Sequence, residues 1–335
     1  MDRVRIGTLG TARITANALI APALEVPEAV LAAVAARDPA RARDFAAARG
    51  IRQVHDSYEE LIADPDIDAV YNPLPNSLHA QWTLKAIEAG KHVLCEKPFT
   101  ANLAEAENVA TAVEESGLVV MEAFHYRYHP LARRMREIVQ GVGGGGDNDG
   151  DLGAVRHIEV TLCFPIRDPA DIRFRYELGG GATMDGGCYA INCLRLLGPG
   201  EPKVVSAAAQ ESSPGVDAVM TALVRYPGAA TGEFSISLLP GRPFTADVRV
   251  TGEEGELRVV NFMTPHTGHR LEVMARGETR QEQVAGGATY TGQLRAFTAA
   301  VLRGEAFATT AADAIVNMRL IDDVYRAAGL PLRGM

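Results

Sequence analysis

Over the first 125 or so residues, short apolar runs alternate with amphipathic stretches. A chain shows that pattern when a parallel sheet is wrapped by helices on both faces. The runs Val4–Leu9, Val30–Ala36, Ala69–Tyr71, Val93–Cys95 and Val119–Met121 read as strands. The segments between them carry helix punctuation. Asp38 before Pro39 sets an N-cap ahead of a first-position proline, Ser57 with Glu60 forms a capping box, and Gly90 closes the stretch that opens at Ser77.

After Tyr128 the pattern changes. A helix over Leu131–Val139 leads into GVGGGGDNDGDLG, Gly141–Gly153, which reads as a flexible surface insertion with nothing apolar enough to pack. Beyond it the period becomes two: Val155–Phe164, Val204–Gln210, Val216–Tyr226, Thr231–Leu238, Ala246–Thr251 and Glu256–Val260 predict an open, mostly antiparallel sheet. In Val216–Tyr226 the apolar side chains Ala218, Met220, Ala222 and Val224 share one face, yet Val219 and Leu223 make the other partly apolar. One face therefore needs helices over it, with Gly181–Leu197, Tyr290–Leu302 and Ala311–Ala328 available, and the other is suited to a second subunit. With 335 residues, the chain reads as an α/β protein of two domains, 1–125 with a doubly wound parallel sheet and 126–335 of α+β type. The last helix is expected to be able to pack back on the first domain.

Several function classes are disfavoured. A net charge of -9 without a basic stripe argues against a nucleic-acid partner, and Arg133, Arg134 and Arg136 read as a solvated helix face. No run of 18 apolar residues suggests a membrane span. Val4, Ile6 and Leu9 form a strand-like start rather than a leader, and Cys95, Cys163, Cys188 and Cys193 lack CxxC pairing, so the expected compartment is the cytoplasm.

The turn after the first strand, Gly10, Thr11, Ala12, Arg13 and Ile14, lies where a βαβ unit offers backbone N–H groups to a pyrophosphate. Of the glycines in GxGxxG only Gly10 is present, with Ala12 and Thr15 in the other places, so a plain tight turn is the competing reading. At the end of the second strand stand Arg37 and Asp38. An arginine there accommodates a ribose 2′-phosphate and an acid the 2′-hydroxyl, so Arg37 favours NADP(H), with NAD(H) as the alternative.

Four ordered runs carry a resemblance: YNPLPNSLHA (71–80), AGKHVLCEKP (89–98), EAFHYRYHP (122–130) and LGGGATMDGGCYAIN (178–192). Together they resemble the glucose-fructose oxidoreductase and inositol 2-dehydrogenase (Gfo/Idh/MocA) family. Within it, FHYRYHP and DGGCY resemble the branch with dimeric dihydrodiol dehydrogenase and NADP-dependent D-xylose dehydrogenase. The resemblance implies a Rossmann domain, then an α+β domain whose sheet forms a homo-oligomer, dimer or tetramer. It implies Lys97 of the EKP signature as the catalytic lysine, with Glu96 and Lys97 both at the cofactor and Pro98 holding the turn. It places Leu74, Pro75, Asn76 and His79 at the cofactor and Asp185 in the site. Tyr189 stands where many members have histidine, which moves the acid/base role from imidazole to phenol.

The chemistry of hydride removal from a carbinol agrees. It needs a group that takes the hydroxyl proton and a cation that steadies the alkoxide. A phenol with a pKa of about 10 becomes a usable base beside an ammonium, so Lys97 can serve Tyr189 as well as the substrate. Asp185, four residues earlier on an α-helical face, is suited to orienting either. Each has a bland alternative: a surface lysine, a core phenol, a helix cap. His125 and His129 have the i, i+4 spacing of zinc ligands but no third ligand at motif spacing, so no metal is expected. Phe124, Tyr126, Arg127 and Tyr128 read as pocket wall or packing. Arg173 and Arg175 are candidates for substrate hydroxyls, and Gly179, Gly180 and Gly181 for close backbone approach. The expectation is an NADP-dependent dehydrogenase or ketoreductase acting on a sugar or polyol. A trans-dihydrodiol dehydrogenase and a non-catalytic NADP(H) sensor are the alternatives.

Overall fold

A computed structural model describes residues 2–141 and 150–334. The chain forms two compact units. One takes the residues up to Tyr128 together with Tyr290–Val316; the other takes His129–Thr289 and the residues from Asn317 onward.

In the first unit the strands are β1 (Val4–Leu9), β2 (Ala29–Ala35), β3 (Gln53–His55), β4 (Ala69–Asn72), β5 (His92–Cys95) and β6 (Val120–Glu122). Their order is β3-β2-β1-β4-β5-β6, every pair parallel. The order reverses between β1 and β4, which opens a crevice at their carboxyl ends. β3 has no counterpart among the expected strands, because three residues with one apolar side chain carry no periodicity; pairing with β2 makes it a strand. The Asp38 cap forms as read, accepting from the Ala40 N–H; of the capping box, Ser57 accepts the Glu60 N–H, while the Glu60 carboxylate accepts the N–H of Asp56 instead of Ser57. Val4, Ile6, Ala69, Tyr71, Leu94 and Met121 form the core with Leu294 and Phe297.

Those last two residues belong to the helix Thr289–Arg303. Read as cover for the second sheet, it completes the core of the first unit instead. A division at 125/126 therefore misses a returning segment, since an apolar helix face specifies burial but not against which sheet.

The second unit is built on β7 (Val155–Cys163), β8 (Lys203–Ser213), β9 (Val216–Arg225), β10 (Thr231–Ser237), β11 (Thr245–Gly252), β12 (Gly255–Val260), β13 (Arg270–Ala275) and β14 (Glu278–Glu282). The order is β14-β13-β12-β11-β7-β10-β9-β8, antiparallel except for the β7–β10 pair. The β13–β14 hairpin was not foreseen. Arg276 and Gly277 form its two-residue turn, both with positive φ (54° and 80°), and an arginine in that place hides the usual Asn-Gly signal. Ala218, Met220, Ala222 and Val224 are buried, as their alternation predicts.

Residues 142–149 of the expected insertion lie outside the described residues. The rest of that stretch is packed, contrary to expectation. Leu152 is fully buried, the Asp151 N–H donates to the Ile138 carbonyl, and a Cβ at Gly150 would lie 2.2 Å from that oxygen. One leucine sufficed for the stretch to find a core.

Arg134, expected on a solvated face, instead clamps β14 to the helix Pro130–Gln140. Its Nε and Nη2 donate to the two Glu282 oxygens at 2.7 and 2.8 Å. Hydrogen bonding to Arg134, helped by Arg280, holds the Glu282 carboxyl down to about 2 against burial. A folded value below the unfolded one of about 4.3 contributes stability above pH 4.3 that is lost as the pH falls through 2. Arg134→Gln should therefore flatten the fall in melting temperature between about pH 4.3 and 2; calorimetry over that range checks it, and an unchanged slope counts against the clamp.

Candidate active site

The dinucleotide end of the first unit is assembled around Gly10. Its φ of 85° is left-handed, and its N–H donates to the Ala35 carbonyl at 2.6 Å, so the turn is drawn over the end of β2. A Cβ here would lie 3.3 Å from Leu74 Cδ2 and 3.6 Å from the Tyr58 hydroxyl. Thr11, Ala12 and Ile14 are half-buried and Arg13 exposed along the turn into a helix that opens with a π segment, Ala16–Ile20. Arg37 is exposed just past β2. Burial raises the Tyr58 phenol, opposed by a hydrogen bond to the Arg37 backbone and by the charges of Arg37 and Arg41, so both arginines lie near this corner. A glycine turn, a switch point and paired arginines fit a dinucleotide with a 2′-phosphate.

Lys97 follows β5, half-buried, with a cis peptide bond to Pro98. Its neighbours are tied down on three sides. The Tyr71 hydroxyl donates to Glu96 Oε1 at 2.7 Å, and the Phe99 N–H donates to Glu122 Oε1 at 2.8 Å. The His79 ring lies 2.8 Å from both the Pro98 and the Leu74 carbonyl oxygens. Burial, the largest effect, brings this imidazole down to about 4, Lys97 adding to the fall while both carbonyls oppose it. Asn72 completes the frame, its Nδ2 donating to the His79 carbonyl and to Thr83 Oγ1.

Beside the cofactor contact expected of them, His79 and Glu96 have a structural task. Their side chains are buried among the groups that fasten the lysine's turn. Leu74 packs at Gly10 as noted, and Pro75 and Asn76 lie half-buried on the same loop.

In the second unit Asp185 and Tyr189 lie on one continuous helical segment, though not the α-helix expected. Thr183–Gly187 is a π turn that passes into the α-helix Cys188–Leu197, with the Asp185 N–H donating to the Gly181 carbonyl at 3.0 Å. Gly186 is required by close approach, since a Cβ there would meet Ile236 Cδ1 at 2.4 Å. Tyr189 is 3% exposed. Asp185 is paired with Arg173, Nε to Oδ2 at 2.9 Å, and Arg173 also donates to Asp171. Gly180 admits no side chain either: a Cβ would lie 2.6 Å from the Arg173 carbonyl oxygen.

Residues 4–124 match the family described as oxidoreductase family, NAD-binding Rossmann fold, and residues 133–258 match the GFO/IDH/MocA C-terminal domain. The chain belongs to the GFO/IDH/MocA oxidoreductase family. It is 37% identical over 325 residues, 96% of each chain, to D-xylose 1-dehydrogenase (NADP(+)) 2 of Haloferax volcanii. To trans-1,2-dihydrobenzene-1,2-diol dehydrogenase of Xenopus laevis it is 30% identical over 260 residues, 77% of this chain and 75% of the other. Among solved structures, a 3-ketoreductase from Actinomadura kijaniata in complex with NADP and TDP-benzene superposes with a TM-score of 0.87 at 28% identity, covering 97% of this chain and 98% of that one.

Other residues of the GFO/IDH/MocA signature runs serve packing. Phe124 and Tyr126 are fully buried, edge to face at 6.4 Å, and the Tyr128 hydroxyl bonds to Thr309 Oγ1. His125 lies against Tyr290 at 4.0 Å between ring centres, while His129 caps the helix Pro130–Gln140 by accepting the Leu131 N–H. Sequence reasoning missed Arg41, Tyr58, Tyr71 and Glu122. Arg41 alone had a usable signal, one helical turn beyond Arg37 behind the Asp38 cap.

Proposed function

We propose that this oxidoreductase uses NADP(H) to transfer a hydride between the nicotinamide and a hydroxyl or carbonyl carbon of a sugar or polyol. Lys97 and Tyr189 handle the proton. The observation that carries the reading is the fastening of the Lys97 turn by His79, Glu96 and Glu122, since a surface lysine needs no such buried frame. The identity to an NADP-dependent D-xylose dehydrogenase supports the substrate class, and the exposed Arg37 with Arg41 supports the phosphorylated cofactor.

When bound, the dinucleotide supplies the hydride acceptor or donor. In the oxidative direction the substrate C–H leaves as hydride, and the O–H proton passes to the Tyr189 oxygen. The Lys97 ammonium stabilises both that phenolate and the alkoxide as charge develops. Asp185, neutralised by Arg173, is in this reading an orienting group: together they present acceptor and donor to neighbouring hydroxyls. A diol dehydrogenase is the second reading. It is favoured by the stacked pair Phe164 and Phe244, 5.4 Å apart, with Phe164 against Gly186 and Phe244 52% exposed. Following NADPH fluorescence against aldoses, ketosugars and aromatic diols separates the two.

Three outcomes are expected. Lys97→Met should lower turnover at least about 100-fold while the NADPH Kd, read by fluorescence, stays within about threefold; wild-type turnover in that variant would overthrow the mechanism. Arg37→Ala should weaken NADPH about 10- to 100-fold and leave NADH unmoved, since a charge-assisted contact contributes about 1.5–3 kcal/mol. A homo-oligomer, dimer or tetramer, joined through the outer face of the second sheet, where Val219 and Leu223 are half-buried, should give more than the monomer mass in light scattering. Leu223→Arg should then return it to monomer.

A further inference from the structure

The second unit contains an ion pair that the mechanism does not use. Arg333 and Asp217 have fully buried side chains, joined Nη2 to Oδ1 at 3.0 Å. Their bonds to Gly180, Tyr325 and Thr183 are buried as well, and that to Pro331 is part-buried. Arg333 Nε donates to the Gly180 carbonyl at 2.7 Å and Nη1 to that of Pro331 at 2.8 Å, with the guanidinium 4.1 Å over the Tyr325 ring. Asp217 Oδ1 accepts from the Tyr325 hydroxyl at 3.0 Å; Oδ2 accepts both the N–H and the hydroxyl of Thr183, at 2.7 and 2.6 Å.

Three of these contacts converge on one short segment. Gly180 is held by its carbonyl, and Thr183 by its N–H and side chain. Between them Gly181 has a φ of 131°, and a Cβ there would lie 2.2 Å from Asp217 Oδ1. Only glycine fits under the carboxylate. The Gly181 carbonyl accepts the N–H of Asp185, and Tyr189 follows one turn later on the same segment. A buried ion pair is a poor source of net stability, because desolvation consumes most of its attraction. What it supplies here is direction, as planar guanidinium and carboxylate groups accept partners at few angles.

We propose that Asp217 and Arg333 are positioning residues: they fix the start and rotation of the helix that carries Asp185 and Tyr189, and thereby the place of the phenol. Neither touches substrate or cofactor. The proposal rests on the catalytic reading of Tyr189 given above.

The test compares the wild-type holoenzyme with Arg333→Met, Arg333→Lys and Tyr189→Phe, using NADP+ with D-xylose or whichever sugar of the aldose panel turns over faster. For Arg333→Met, kcat should fall about 10- to 100-fold with KM and NADPH Kd within about threefold, as expected when a group is misplaced rather than lost. Amide exchange should quicken about tenfold over residues 181–189 and stay unchanged in β7 to β14. Arg333→Lys should recover part of kcat, since an ammonium still meets Asp217. Should Arg333→Met fail to fold, the pair Arg333→Met with Asp217→Asn removes the orphaned charge and is read in the same way. Wild-type kcat in either folded variant, or exchange raised evenly over the whole unit, overturns the proposal. If Tyr189→Phe is inactive while Arg333→Met is fully active, positioning alone fails; if Tyr189→Phe turns over normally, the catalytic reading falls and takes this one with it.

Discussion

A lysine reaches a reacting atom at the end of a four-carbon stem, so its usefulness depends on how firmly the backbone beneath it is held. In this chain that backbone is held by buried polar groups. His79 touches the carbonyls of Pro98 and Leu74, Glu122 accepts the Phe99 N–H, and Glu96 accepts the Tyr71 hydroxyl. Each contact joins the turn after β5 to a different neighbour: the loop after β4, β6 and β4 itself. Loosening one of them leaves buried polar groups unpaired, at about 1–3 kcal/mol each. The rest of the first unit exists around this frame. Parallel strands place the loops of β1, β4 and β5 at one edge, where the Gly10 turn and the Lys97 turn both emerge.

The second unit solves a similar problem with different means. The segment before Tyr189 is rich in glycine, running Gly179, Gly180, Gly181 and then Gly186, Gly187. Glycine lets the backbone approach Asp217, the Arg173 carbonyl and Ile236 closely, but it also leaves the segment entropically free. Charged groups from elsewhere in the unit remove that freedom. Asp217 and Arg333 hold its start, and Arg173 holds Asp185 two residues into the π turn. A π turn among these glycines is the local consequence, a wider coil that the surrounding contacts enforce.

How much of this was legible beforehand differs from one residue to the next. The Asp38 and Ser57 caps form as read, because a cap is a contact between residues two or three apart. Alternation in Val216–Tyr226 located the buried Ala218, Met220, Ala222 and Val224 correctly, since a strand has only two faces. Local signals failed where partners are distant. β3 is made by β2, the β13–β14 turn hides its signal behind an arginine, and Leu152 buries itself at the end of a glycine run. The inward partners of His79 and Glu96 were hidden for the same reason. A conspicuous side chain beside a motif suggests ligand contact, yet partners 19 and 25 residues away in the chain draw both inward.

By itself the sequence determined the layers: a parallel sheet with helices first, a long period-two sheet afterwards, and the order in which the signature runs occur. Those are properties of periodicity and of short-range bonds, which neighbours in the chain settle among themselves. Only the tertiary structure decided that Leu294 and Phe297 complete the first core and that Arg333 lies beneath Gly180, 153 residues back along the chain. It alone decided as well that Asp185 is already answered by Arg173. Such pairings depend on which surfaces meet after folding, and a buried charge takes its partner from whatever the fold brings within about 3 Å of it, wherever in the chain that group began.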